Sequence, residues 1–326
     1  MTSGMTSYLR RLALLLGGAL VLLFALNWVV DPFERNLRFD LGLQKEPVAA
    51  GLNYQMKKIL EYERECEPTV VLGDSRALAL QEEYFADAGL PDVDNFCYGG
   101  GTLYEAIDTF WFVVDQGCVR RVILGVPFST WNEANSVNRF PRSRRVARNP
   151  LAYYLSPLVT KATVLDLAAT VTGRQMITRI PDMAPDEFWA HQLGPGSDRY
   201  FKGWRRPEVL AARLQAVADH CRSHGIALYL FLPPMHAEQR ARLSDYGLDA
   251  EFDRYKAEMR ALAPVFDYAV DGPLARDRAN FTDPRHVTPE VAQRITAEIV
   301  LRLASDVANP AVPAPAAATE DVRPTR

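Results

Sequence analysis

Apolar positions along the chain fall into two regimes. From Leu12 to Val30 they run almost unbroken, with Asn27 the one strongly polar member. Beyond Arg64, short apolar runs alternate with longer stretches whose apolar residues recur at helical spacing. The short runs "TVVL" (69–72), "VDNF" (93–96), "RVILGVP" (121–127), "IALYLFLPP" (226–234) and "VFDYAVD" (265–271) read as strands. The third is continuously apolar, as expected of a strand covered on both faces. Segments 54–65, 103–117, 207–225, 250–264 and 288–304 read as helices. Gly117 and Gly225 mark two helix ends, and Pro289 sits in a first turn.

Strands alternating with helices predict a parallel sheet with helices on both faces. Right-handed crossovers leave few topologies. The expectation is an α/β, flavodoxin-like three-layer sandwich with a five-stranded, mainly parallel sheet in the order 2-1-3-4-5. Ligands bind such sheets at the carboxyl ends of the strands, near the switch point. That point lies beside the first strand, where Gly73-Asp74-Ser75 follows "TVVL".

The 12–30 run has the length of a transmembrane helix. Arg10 and Arg11 precede it, and Asp31 and Glu34 follow. By the positive-inside rule, residues 1–11 are cytoplasmic and the rest extracytoplasmic, periplasmic in a Gram-negative cell. No small-x-small cleavage site follows the run, so an uncleaved anchor is expected. Residues 31–65 form a linker and helix, and 66–304 the α/β domain. Segment 128–206 is too long for a simple crossover and reads as an insertion, a lid or substrate wall, with some helical character in "VLDLAATVTG" and much irregular chain. It carries "RFPRSRRVAR", with Arg139, Arg142, Arg144, Arg145 and Arg148, either a solvated loop or a patch for an anionic polymer or lipid headgroups. The Pro- and Ala-rich tail 305–326 is expected to be disordered.

Composition changes this picture little. With 48% hydrophobic residues and a net charge of −3, the chain can build a core and has no global field to recruit nucleic acid. No zinc-like Cys/His spacing, phosphate loop or dinucleotide fingerprint occurs, and no cofactor is implied. Cys66 precedes the first strand and Cys118 the third. Those strands are neighbours in a 2-1-3 order, about 4.8 Å apart. A Cys66–Cys118 disulfide is therefore expected, as an extracytoplasmic domain permits.

The candidate chemistry gathers at the strand ends. Ser75 is placed either to cap a helix or to present its hydroxyl as a nucleophile. Of five histidines, His286 in "NFTDPRHVTPE" has the informative setting. Asp283 lies three positions earlier, with Pro284 stiffening the turn. That spacing lets the carboxylate orient Nδ1 while Nε2 faces the serine. An Asx-type turn is the structural alternative for Asp283. His236 follows the fourth strand and is a rival base, ranked as a substrate contact. Ser75 N–H and the glycines of "NFCYGGGT" are candidate oxyanion donors, with Asn132 a third. Tyr98, Trp111 and Trp131 are candidate sugar-stacking residues, Trp111 more readily a core aromatic.

Gly73-Asp74-Ser75, "NFCYGGGT" and "DPRH" together resemble the first, second and last blocks of the SGNH, or GDSL-like, hydrolase superfamily. The resemblance spans most of residues 66–304. It implies Ser75 as nucleophile, Asp283 and His286 as its partners, and Gly100 as the oxyanion glycine. Arg76 after the serine and the absence of a Gly-x-Asn-Asp block depart from the usual pattern. Such departures resemble the membrane-anchored branch, similar to proteins of polysaccharide O-acetylation and teichoic-acid D-alanylation. That likeness implies a membrane O-acyltransferase partner and an acyl-ester or glycan substrate. Arg76, Tyr98, Trp131 and His236 are the candidate substrate contacts. The two functional readings are a serine acyl esterase or acyltransferase acting on an envelope or exported polysaccharide, and a catalytically silent module. The silent module would bind a glycan or scaffold a biosynthetic complex.

Overall fold

Thr69–Leu72 forms β1, with Val70, Val71 and Leu72 fully buried, in a computed structural model that describes residues 2–36, 39, 41–43, 45–174 and 183–308. Val93–Asn95 forms β2, Arg121–Gly125 β3, Ala227–Leu232 β4 and Val265–Asp267 β5. They make one parallel sheet in the order β2-β1-β3-β4-β5. Val71 stands opposite Asn95 on one side and Ile123 on the other, and Phe231 stands opposite Phe266.

The helices start and stop where local chemistry dictates. Thr102 and Glu105 close a capping box that opens the Leu103–Val114 helix. The Glu208–His224 helix ends at Gly225, whose φ of 66° favours a residue without Cβ. Ile295 and Ile299 of the last helix, Pro289–Ala308, pack against Val71, Ile123, Phe231 and Phe266. Each such fully buried side chain stabilises the layer by about 1.5–3 kcal/mol. That helix runs past the boundary expected at 304; residues 309–326 of the expected disordered tail lie outside the described residues.

Cys66 and Cys118 are joined by a disulfide, their Cα atoms 6.3 Å apart. A second sheet escapes the sequence pattern. Phe281–Asp283 (β6) pairs antiparallel with His286–Val287 (β7). Strands of two and three residues are too short to show a period.

The chain divides into two units, each with its own interior. One holds the described residues of 66–138 and 183–308, including both sheets. The other holds those of 1–65 and 139–182. In the latter, Met5–Val30 of the Thr2–Val30 helix is long and apolar enough to cross a membrane. Only 11% of its most apolar window is buried, so it is not a core helix. At its end, Asn27 donates to the Tyr154 carbonyl at 2.7 Å and to Thr160 Oγ1 at 2.9 Å. Tyr153 donates its hydroxyl to Asp31 Oδ1 at 3.0 Å.

The arginine-rich segment is helical rather than a loop. Phe140–Arg148 buries Phe140, Ser143 and Ala147 and leaves Arg142, Arg145 and Arg148 exposed, with Arg148 Nε 2.7 Å from Glu63. The Pro157–Thr172 helix takes in the segment expected to be helical, and Pro150–Tyr154 adds a helix where irregular chain was expected.

Asp166 is fully buried in this unit, and neither carboxylate oxygen has a hydrogen-bond partner among the described residues. Burial pushes its pKa up to about 7, against the opposing pull of Lys45. The native state therefore holds a proton that the unfolded chain releases above its ordinary value of 3.8. Stability should fall as pH rises between these two values and level off above the higher one. Asp166→Asn removes that dependence and should stabilise the unit by up to about 4 kcal/mol at alkaline pH, with the gain gone in acid. Thermal melts of both proteins across pH test this, and a pH-independent difference would refute it.

Candidate active site

The turn after β1 is built from small residues in close contact. Gly73 has φ 150°, and a Cβ on it would lie 3.0 Å from the Ala77 Cβ and 3.3 Å from the Gly125 Cα. A Cβ on Gly125 would lie 2.8 Å from the same Ala77 Cβ. Gly73, Ala77 and Gly125 thus let the turn press onto the end of β3. The Tyr98 N–H donates to the Gly73 carbonyl at 3.1 Å and ties the glycine loop to the same turn.

Ser75 opens a single helical turn, Ser75–Leu78. Asp74 is its cap: Oδ1 accepts from the Arg76 N–H at 3.0 Å, and the Asp74 carbonyl accepts from Ala77 and Leu78. The cap is therefore Asp74, which leaves the Ser75 side chain for another partner. As the first helical residue, Ser75 also carries an N–H with no acceptor inside the helix.

The partner of the hydroxyl is His286, brought from 211 residues away with Ser75 Oγ and His286 Nε2 2.7 Å apart. His286 Nδ1 is 2.7 Å from Asp283 Oδ2 across the β6–β7 turn. Asp283 Oδ1 accepts from the Arg285 N–H at 2.9 Å. The His236 N–H donates to the Pro284 carbonyl at 3.0 Å and fixes the turn from outside. Burial alone would raise the Asp283 pKa. The hydrogen bond and charge of His286, with the Arg285 amide, override it and hold the carboxyl below its ordinary value. Asp283 is buried, whereas a third of the His286 side chain reaches solvent. The serine–imidazole pair is thus rigidly backed on one side and reachable on the other.

Gly100 has φ 65° and nothing within 4 Å of where a Cβ would be, so its loop is open above the backbone. Gly101 beside it is confined: a Cβ there would meet the Tyr98 carbonyl at 3.1 Å and the Gly73 carbonyl at 3.2 Å.

Five expected roles, those of Asn132, Tyr98, Trp131, His236 and Arg76, are corrected. Asn132 is buried, with its amide donating to the Tyr200 carbonyl at 2.8 Å and Oδ1 accepting from the Ala134 and Arg205 amides. It holds the chain near 200–205 and is not turned to an oxyanion. Tyr98 is 2% exposed, packed edge-on against Phe96, its hydroxyl 2.8 Å from Thr109 Oγ1. Trp131 is buried against Tyr255. Neither aromatic face is open to a sugar. His236 caps the Ala237–Asp245 helix, Nδ1 accepting from the Glu238 N–H at 3.2 Å, with its ring edge-on to Trp189 and Phe281. A ring so used is a structural post for the β6–β7 turn rather than a substrate contact.

Arg76 is also turned inward. Its guanidinium pairs with Asp74, Nε lying 3.0 Å from Oδ2, and Nη2 donates to Ser129 Oγ at 2.7 Å. The residue that departs from the hydrolase pattern thus braces the carboxylate next to the serine. Two groups escaped the sequence reading altogether, Arg285 and Tyr200. The Arg285 guanidinium lies 4.7 Å from the Tyr200 ring centroid. Arg285 stands inside the quoted "DPRH", but nothing local shows that its side chain is buried.

No family model matches the chain, and no curated protein matches it. Similar solved structures include a protein of Bacteroides fragilis assigned as an acylhydrolase, 12% identical over 79% of this chain and 97% of that one, with a TM-score of 0.39. They also include a GDSL-like lipase of Bacteroides thetaiotaomicron, 12% identical over 79% of this chain and 98% of that one, with a TM-score of 0.38.

Proposed function

We propose that this protein is a membrane-anchored serine acyl esterase or acyltransferase whose catalytic unit faces the extracytoplasmic side. The observation that carries the reading is the unbroken relay from Ser75 Oγ through the His286 imidazole to Asp283, with both links at 2.7 Å. That is the geometry a hydroxyl needs to become a nucleophile. Arg10 and Arg11 before the apolar helix support the orientation. The Cys66–Cys118 disulfide is in keeping with an oxidising compartment.

His286 Nε2 takes the Ser75 proton as Oγ bonds to the ester carbonyl carbon. Asp283 holds Nδ1–H and stabilises the imidazolium that forms. The Ser75 N–H, with the Gly100 amide, receives the developing oxyanion. His286 then returns the proton to the leaving alkoxide as the acyl–oxygen bond breaks. Water or a sugar hydroxyl, deprotonated by the same imidazole, resolves the acyl-enzyme. The acyl group is acetyl and the acceptor an envelope or exported polysaccharide, with a membrane O-acyltransferase supplying the group. The anchor and the open His286 face support that arrangement.

The test is trapping. Full-length protein in mild detergent, incubated with p-nitrophenyl acetate, should carry one acetyl group on Ser75 by peptide mass spectrometry. Ser75→Ala should carry none there. Folded wild-type protein without an adduct would overturn the enzyme reading in favour of a glycan-binding module. Faster loss of the adduct with added oligosaccharide than in buffer would mark a transferase.

A further inference from the structure

The Pro157–Thr172 helix is partly inverted with respect to water. Its buried face carries Thr163 and Asp166 beside Val159 and Ala162. Its outer face, by helical spacing, carries Pro157, Lys161, Val164 and Val171. Val164 is 54% exposed and Val171 86% exposed. A helix on a water-facing surface turns its polar residues out and its apolar ones in. Acid and hydroxyl turned inward, with valines turned outward, match an apolar surrounding instead.

The same helix stands against the apolar run. Asn27, within the Thr2–Val30 helix, donates to Thr160 Oγ1 and to the Tyr154 carbonyl. In hydrocarbon an amide needs such partners from the protein itself. Leu23, one turn before Asn27, lines an open groove of about 480 Å³ with Leu155, Pro157, Val164 and Leu165. Lys161 also lines it, and a lysine stem can lie along apolar surface while its ammonium reaches outward. Leu23 stands about two turns before Val30, roughly 10 Å along the axis. On a helix that crosses a membrane, that level is the boundary between headgroups and acyl chains.

We propose that the outer face of the Pro157–Thr172 helix, with its groove against Leu23, is seated in the extracytoplasmic leaflet and takes the acyl chains of membrane lipids. Lipid is the occupant because one wall of the groove, Leu23, belongs to the apolar run that lipid surrounds. The chain then holds the bilayer by a second surface besides its anchor. This rests on the anchor reading above, and the experiment separates the two.

The experiment is fluorescence quenching of bimane on an introduced cysteine, in full-length protein reconstituted into phosphatidylcholine vesicles. Val164→Cys and Val171→Cys report the proposed face. Leu16→Cys reports the middle of the apolar helix, and Val209→Cys an exposed valine of the Glu208–His224 helix. Cys97 and Cys221 are buried, and labelling of wild type gives the background. The quenchers are phosphatidylcholine with a nitroxide high on one acyl chain, the same lipid with the nitroxide near the chain end, and aqueous iodide. The labels at 164 and 171 should be quenched about threefold more than the label at 209 by the shallow nitroxide, and less than it by iodide. The label at 16 should respond most to the deep nitroxide. Near-UV circular dichroism checks folding, and if Val164→Cys does not fold, Val171→Cys decides. Lipid quenching at 16, with 164 and 171 behaving like 209, would overturn the seat and leave the anchor standing. No lipid quenching at 16 would overturn the anchor and the seat with it. Shielding of 164 from both lipid and iodide would put a protein surface there, a second copy or a partner, and would also overturn the proposal.

Discussion

Asp283→Asn should slow acylation of Ser75 by about ten-thousand-fold while leaving the fold intact. The native carboxylate accepts from His286 Nδ1 at 2.7 Å. That forces the neutral imidazole to carry its proton on Nδ1 and to present a bare Nε2 to Ser75 Oγ, 2.7 Å away. An asparagine in the same place can turn its NH₂ toward Nδ1. The opposite tautomer then puts a proton on Nε2, and the base is lost although the ring has hardly moved. The backbone bond from Arg285 to Asp283 Oδ1 survives if the asparagine oxygen takes that position, so the turn is preserved. His286→Ala removes the base outright and should reach a similar floor, and the double variant should be little worse, because the residues act as one unit. Single-turnover release of p-nitrophenol reads all three. A loss below tenfold in Asp283→Asn would show that Asp283 only shapes its turn.

Removing the Cys66–Cys118 bond should cost about 4 kcal/mol of stability, from the entropy released to an unfolded chain no longer closed over a separation of 52 residues. The closed segment contains β1, β2 and the Leu103–Val114 helix, which brings the chain back to β3. The bond therefore fixes the starts of two adjacent central strands, and the serine turn hangs from the far end of one of them. Denaturant unfolding of Cys66→Ala/Cys118→Ala in detergent, against wild type with and without reductant, measures the effect. Reduced wild type should match the double variant. Cys97 and Cys221 are buried free cysteines and should not replace the bond; burial pushes the Cys221 thiol up to about 12, leaving it without thiolate at neutral pH. A difference under about 1 kcal/mol would mean that strand pairing already holds the segment in the unfolded ensemble.

Both predictions rest on elements that differ in how far the sequence reveals them. The five sheet strands and their order were legible because continuous apolar runs flanked by helical periods leave few ways to bury both faces. The neighbouring strands then made the cysteine pairing legible too. Ser75, Asp283 and His286 were legible as candidates because nucleophile, base and orienting carboxylate are distinctive residue types at strand ends. The aromatic and asparagine roles were not, because the same residue types serve a cleft or a core, and only packing separates the two. Tyr98 and Trp131 went to the core, and Asn132 went to backbone carbonyl and amide groups.

By itself, then, the sequence determined an apolar helix long enough to span a membrane, the parallel sheet and its switch point, and Ser75, Asp283 and His286 as candidates at the strand ends. Local composition and period decide the helix and each strand, and distinctive residue types at the strand ends decide the candidates. Only the tertiary structure decided that Asp74 rather than Ser75 caps the helical turn, that Arg76 braces Asp74, that His236 supports the β6–β7 turn, and that the Arg285 side chain is buried. Those outcomes depend on which of several possible partners each side chain meets, whether two residues away, as for Asp74 and Arg76, or far along the chain. Burial and hydrogen-bond satisfaction are properties of that meeting, not of any segment alone.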